Sequence, residues 1–165
     1  MMLATSSGCA KSVVDEDDGE VFADDIPVAH TPGCGWEEWP APVLATCTEP
    51  LSPEAADLRG IWEGYEGDMV GHVERIEQCG NRVVIMGGGV THDMRADGTL
   101  ENGVHDIAAA TCAEIEVSAE FVDGALELRP FGGDVLVTRE IDGDDLLWVY
   151  AGFTTWLRRL EQLPE

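Results

Sequence analysis

"CAEIEVSAEFVDGALEL", residues Cys112 to Leu128, alternates apolar and polar side chains with a period of two. Ala113, Ile115, Val117, Ala119 and Phe121 fall on one parity, Glu114, Glu116, Ser118 and Glu120 on the other, and an Asp123-Gly124 pair follows. Successive side chains of a strand point to opposite faces, so this stretch makes a ribbon with one apolar and one wet face. Asp-Gly is hairpin-turn chemistry and sends the chain back beside itself. "VLVTREIDGDDLLWVY", Val135 to Tyr150, repeats the design, with Asp142-Gly143 at the bend and Val135, Val137, Leu147 and Val149 in the flanks.

Outward from these two hairpins, the same reading predicts strands over 61–66, 69–78, 82–86, 90–95, 99–106 and 153–159. Helix is confined to a turn near 53–58 and a piece at 107–111, where three alanines run together. Eight or more short strands joined by tight turns predict an all-β fold, an antiparallel meander curling into a barrel or folding into a sandwich. Closure removes the exposed edges that such a chain must otherwise protect.

The chain has 165 residues, 44% of them hydrophobic, enough for one domain with a real core. Its 33 Asp plus Glu stand against nine Lys plus Arg, a net charge of −24. That field repels phosphate backbones and excludes nucleic acid as a partner. No run of about 18 apolar residues is present to make a transmembrane helix. Residues 1–58 hold 12 acids and one base, Lys11, while residues 59–165 hold 21 acids and eight arginines. Six of the eight prolines also precede Leu58. This divides the chain into a poorly ordered acidic N-terminal arm rich in Cys, Trp and Pro, 1–58, and a β domain, 59–165. "DEDDGE", Asp15 to Glu20, spaces Asp15, Asp17 and Gly19 like part of a calcium loop, but Glu20 stands at the glycine position and Ile26 at the bidentate one. It reads as solvated chain.

"RGIWEGYEG", residues 59–67, with Gly60, Trp62, Gly64 and Gly67, resembles the Gly-x-Trp opening strand of the lipocalin-like (calycin) barrels. "TTWLRRL", residues 154–160, resembles that family's closing strand with its terminal basic residue. The resemblance covers roughly residues 59–160 and implies an eight- to ten-stranded barrel. It also implies that Trp62 packs beside Arg158 or Arg159 and that these residues, with Gly60, close one end in a structural role. Only five residues follow Leu160 here, and the long C-terminal helix of larger lipocalins is not expected.

Five cysteines, at 9, 34, 47, 79 and 112, leave one over after pairing. "SSGC", ending at Cys9, resembles the lipobox of exported bacterial lipoproteins, which implies lipidation at Cys9. Met1 to Thr5 are too few for the charged and apolar parts of a signal peptide, which places the expected start upstream of Met1. Cys34, Cys47, Cys79 and Cys112 then form two disulfides, with three pairings open. Cys34 with Cys47 is the local choice and forces Cys79 onto Cys112. In a strict meander with a turn at "MGGG", Met86 to Gly89, Cys79 and Cys112 lie at opposite ends, about 20 Å apart for a six-residue strand, beyond disulfide reach of about 7 Å. A glycine bend in one long strand over 82–95 brings them to one end and is the expected arrangement. No C-x-x-C pair exists, so no metal is expected.

Catalytic patterns are equally thin. His30, His72, His92 and His105 are scattered, and Asp93 beside His92 points to the opposite face of a strand. A cross-strand His and carboxylate is the one route to an enzyme. "MGGG" lacks the Lys and helix start of a phosphate loop. The expectation is therefore a non-enzymatic, exported cell-envelope lipoprotein with no cofactor, periplasmic or outer-membrane anchored in a bacterium, touching membrane only through its lipid. It binds a small apolar or amphipathic ligand in the barrel, lined by Phe121, Trp148, Tyr150 and Phe153. The alternative is a filled-barrel scaffold that contacts another envelope protein, and interior volume separates the two.

Overall fold

A computed structural model describes residues 19–164; Cys9 and the first acids of the "DEDDGE" run lie outside the described residues. Ten strands follow one another: β1 (Gly60–Gly67), β2 (Val73–Cys79), β3 (Arg82–Gly87), β4 (Val90–Arg95), β5 (Val104–Ile107), β6 (Glu114–Val122), β7 (Ala125–Pro130), β8 (Val137–Asp142), β9 (Asp145–Tyr150) and β10 (Phe153–Leu160). The only helical piece among the described residues is a 3-10 turn at Ala23–Asp25. All pairings between named strands are antiparallel, in the order β4-β3-β2-β1-β10-β9-β8-β7-β6-β5. The expected all-β meander is therefore the fold, and the first and last strands lie side by side, Trp62 opposite Arg159.

The sheet curls into a nearly closed barrel. Its two ends, β4 and β5, share no ladder. They meet instead through the Arg95 amide on the Asn102 carbonyl at 2.8 Å, His92 Nε2 at 3.3 Å from the Ile107 carbonyl, and an isolated bridge between Asp97 and Glu120.

Several sequence expectations shift at the turns. "MGGG" is a hairpin turn, not a strand bend: Gly87 pairs with Val90, and Gly88 and Gly89 take φ of 58° and 85°. Two successive positive φ values make the tight turn whose twist suits a hairpin, and glycine reaches them without a Cβ penalty. Residues 99–103 are loop, because Asp97 draws the Thr99 amide, the Thr99 hydroxyl and the Asn102 amide group onto its own carboxylate. The stretches 53–58 and 107–111 turn without becoming helices.

The disulfide pairing changes with the topology. Cys34 joins Cys112, with Cα atoms 5.2 Å apart, and Cys47 joins Cys79 at 6.2 Å. The local pairing of Cys34 with Cys47, and of Cys79 with Cys112, is thus replaced. With a true turn at Gly88-Gly89, Cys79 and Cys112 fall at opposite ends of the barrel, and each takes a partner from the N-terminal segment.

That segment is a strap. Residues 19–58 carry almost no regular structure, in keeping with their composition, yet they are fixed to the barrel and not loose. The strap climbs the outer face along the gap between β4 and β5, turns near Gly89, and descends over β2 and β3. On the way up, the Ala29 amide donates to Asp93 of β4 and the Thr31 amide to Asp106 of β5, both at 2.8 Å, while Thr31 Oγ1 accepts the Thr91 amide at 2.9 Å. Thr31 alone thereby links both unpaired edges. On the way down, the carbonyl of Pro40 accepts Arg75 Nη2 and the amide of Leu44 donates to Glu77. Beneath it, β3 is buried on both faces: Val83 and Ile85 face the barrel interior, whereas Val84 and Met86 meet Leu44, Trp36 and Trp39 of the strap. Along the β4–β5 gap, edges that would invite a foreign strand are covered by the ascending part of the strap.

Apolar side chains from every strand meet inside the barrel. One apolar cluster takes at least one buried residue from each of the ten strands, among them Trp62, Ile76, Val83, Met94, Val104, Ala119, Leu126, Val137, Leu146 and Leu157. Leu58 plugs the end where β1 begins, its amide donating to Gln78 Oε1 at 2.6 Å.

Candidate functional site

The two ends of this barrel differ in chemistry. At the end where β1 starts, the Trp62 indole is fully buried and donates Nε1 to the Leu58 carbonyl at 2.9 Å. The Arg159 guanidinium lies over the indole face, 4.2 Å from its centroid, and donates to the Arg59 carbonyl. A Cβ at Gly60 would strike that guanidinium, so the glycine makes room for the cation–π stack. Arg158 points elsewhere and pairs with Glu63, Nη2 to Oε2 at 2.7 Å. These groups seal the end structurally.

The other end holds a buried polar layer. Register pairing places Glu74 opposite Trp62 and Arg139 opposite Trp148, so both charged side chains share the inward face with the core. Arg139 donates Nε to Glu74 Oε1 at 2.9 Å and Nη2 to Oε2 at 2.8 Å. His72 Nε2 lies 3.4 Å from the same carboxylate, and its ring stacks on Trp148 with centroids 4.6 Å apart. Arg139 also sits 5.2 Å from the centre of the Trp148 ring. Trp148 is buried, and its Nε1 has no acceptor among the described residues.

Electrostatics in this layer follow from the pairing. Burial alone would raise the Glu74 carboxyl, but the Arg139 charge and its two N–H groups, helped by His72, hold it down at about 2. A carboxylate so acidic and so fully occupied is a poor general base. His92, next in the layer, is shifted down, chiefly by burial and further by the Arg139 charge, against the Ile107 carbonyl, Asp106 and Glu74. Asp93 leaves by the opposite face of β4 to grip Arg82, at 2.8 and 2.6 Å.

Around this layer the loops form an apolar rim. Of the large hydrophobic side chains exposed among the described residues, Met69, Val70, Phe131, Val135, Leu136, Tyr150 and Phe153 all lie at this end. Phe131, at 67%, is the most exposed of them. The loops here, 68–72, 88–89, 108–113, 131–136 and 151–152, carry no Lys or Arg, and their acids are Asp68 and Asp134. The strap's turn beside Gly89 adds the exposed Glu37 and Glu38 to this end and no base.

Of the four aromatics expected to line one pocket, Trp148, Tyr150 and Phe153 come together at the mouth, with Trp148 and Tyr150 ring centroids 6.1 Å apart and Phe153 paired with Tyr150, whereas Phe121 stands apart. Phe121 packs on the core near the β6–β7 turn at the sealed end, Trp148 is interior, and Tyr150 and Phe153 stand on the rim. Sequence reading missed the Glu74–Arg139 pair, although a signal was there: Glu74 shares parity with Ile76, and Arg139 with Val137, so charges sit on apolar-facing positions. A cleft of about 410 Å³ lies outside the barrel, between the strap, β4 and the β4–β5 loop. A smaller one, about 260 Å³, runs along β5 and β6. No protein-family model matches the chain, and a search of curated proteins finds no significant match.

Two disulfides are the mark of an oxidising compartment and point to export. Among the described residues no helix is long and apolar enough to cross a membrane.

Proposed function

We propose that this protein is a lipocalin-like, lipid-anchored module of a bacterial cell envelope that works by binding, and that its barrel is a filled scaffold docking an envelope protein through the apolar rim. The observation that carries the reading is the contrast between an interior to which all ten strands contribute buried apolar side chains and an exposed apolar rim at one end whose loops carry no Lys or Arg. A ligand needs space, and the apolar side chains that meet inside the barrel support the filled reading. Apolar surface gathered on loops of one end is the usual form of a contact site. The net charge of −24 selects a partner with basic residues flanking its own apolar contacts. The opening "SSGC" and the stack of Arg159 on Trp62 support the anchored, lipocalin-like part of the reading.

A second reading keeps a small amphipathic ligand at the mouth, favoured by the unpaired indole N–H of Trp148, which an acceptor atom would satisfy. Photo-crosslinking residues placed at 131, 153 and, on the opposite end, 141 test both in cells that make the protein. Docking predicts one discrete protein adduct from 131 and 153 and none from 141, weakening as salt rises. Equal adducts from both ends, or none from the rim, contradict it. A small molecule seen by native mass spectrometry and lost in Trp148→Phe would establish the second reading in its place.

A further inference from the structure

We infer that the cleft under the strap is a second binding site, one that takes a small monocarboxylate with an apolar body, and that Asp24 holds the ligand's place on Arg95. The cleft's volume of about 410 Å³ falls within the range of small-molecule sites, roughly 300–1,000 Å³. It is independent of the rim, being walled by the strap and floored by β4.

Its chemistry is that of a fatty or aromatic acid. Ile26 and Val28 of the strap give an apolar wall, and Met94 and Arg95 of β4 form the floor. Arg95 is one of only nine Lys and Arg residues in the chain. Its Nη1 donates to Asn81 Oδ1 at 3.0 Å, which fixes the guanidinium plane, and its Nη2 donates to Asp24. The Asp24 side chain is 86% exposed, whereas that of Arg95 is 23% exposed. An exposed carboxylate on a sheltered guanidinium gains little from the contact and exchanges readily. A ligand carboxylate would take the same donor while its chain covers Ile26 and Val28, a gain in buried apolar area that Asp24 cannot match. Arg82 and Asp93, which also border the cleft, neutralise each other, and Glu101 on the far wall disfavours a second negative charge on the ligand.

Amide chemical-shift titrations of the oxidised protein with octanoate, octanol and octylammonium test this. Octanoate is expected to give saturable shifts at residues 24–26, 94–95 and 102–103, with octanol and octylammonium at least about tenfold weaker. Asp24→Ala removes the internal competitor and should tighten octanoate about two- to fivefold, the range of an exposed ion pair. Arg95→Gln should abolish the shifts while amides elsewhere keep their positions. If Arg95→Gln unfolds, the Asp24→Ala titration decides alone. Octanol or octylammonium binding as tightly as octanoate, shifts confined to the rim, or unchanged or weaker affinity in Asp24→Ala would each overturn the assignment.

Discussion

Glu74 and Arg139 hold each other inside the barrel from strands that are not neighbours, through two hydrogen bonds of 2.8 and 2.9 Å across 65 residues of sequence. Two charges taken out of water recover their cost only through each other. Removing one partner strands the other. Glu74→Gln or Arg139→Met is therefore expected to lower unfolding free energy by about 3–5 kcal/mol, whereas Glu74→Leu with Arg139→Met together should fall within about 1–2 kcal/mol of the parent or exceed it. Urea unfolding of the four proteins at pH 7 measures this. A double-variant loss as large as the two single losses added together would mean that the pair does not act as a unit.

The same layer sets the acid sensitivity. Glu74 ionises at about 2 when folded, below its ordinary 4.5, so its stabilisation is present above pH 4.5 and is lost as pH falls toward 2, on the order of 3 kcal/mol in total. His92 is also shifted down, so the unfolded chain binds its proton first and stability declines as pH falls below about 6.5. The predicted profile has two steps, read as differences from variants: His92→Asn removes the upper step, and the Glu74→Leu/Arg139→Met double variant removes the lower. A His92→Asn profile identical to the parent between pH 7 and 5 would contradict this assignment.

At the sealed end, Trp62→Ala opens a large hole and frees the Leu58 carbonyl, with an expected loss of about 3–5 kcal/mol. Arg159→Ala should cost only about 0.5–1 kcal/mol, the worth of an exposed cation–π contact. Gly60→Ala forces the Arg159 side chain aside. A double-mutant cycle of Gly60→Ala with Arg159→Ala is expected to show coupling above about 0.5 kcal/mol, and simple additivity would deny the close approach.

Both disulfides tie the strap to the barrel, across 78 and 32 residues. Loop-closure entropy assigns them about 4.5 and 3.7 kcal/mol. Reduction is expected to raise amide exchange first in the strap and then along β4 and β5, where Thr31 bridges the gap, while the amides of Trp62 and Leu157 stay protected. Uniform loss of protection over the whole barrel would show that the strap is not a separate cover.

Local chemistry made the barrel legible. Alternation in 113–121, the Asp-Gly turns and the Gly-x-Trp opening each act within a few residues, and they located β6 to β9 and β1. What the sequence hid depends on distant partners. The strap looked like tether because its contacts are with distant residues, such as Asp93 and Asp106, 64 and 75 residues away from the amides that they accept. The cysteine pairing turned on whether Gly88-Gly89 bends or reverses the chain, a choice that composition leaves open. At the mouth, the four suggested aromatics were sound β residues, but strand direction sent Phe121 to one end and Tyr150 to the other, and only assembled strands reveal that.

Connectivity of the cysteines tests the strapped barrel most directly. Peptide mapping of the unreduced protein should recover Cys34 linked to Cys112 and Cys47 linked to Cys79. Recovery of Cys34 with Cys47 and of Cys79 with Cys112 would contradict the turn at Gly88-Gly89, the strap across the β4–β5 gap, and the account built on them.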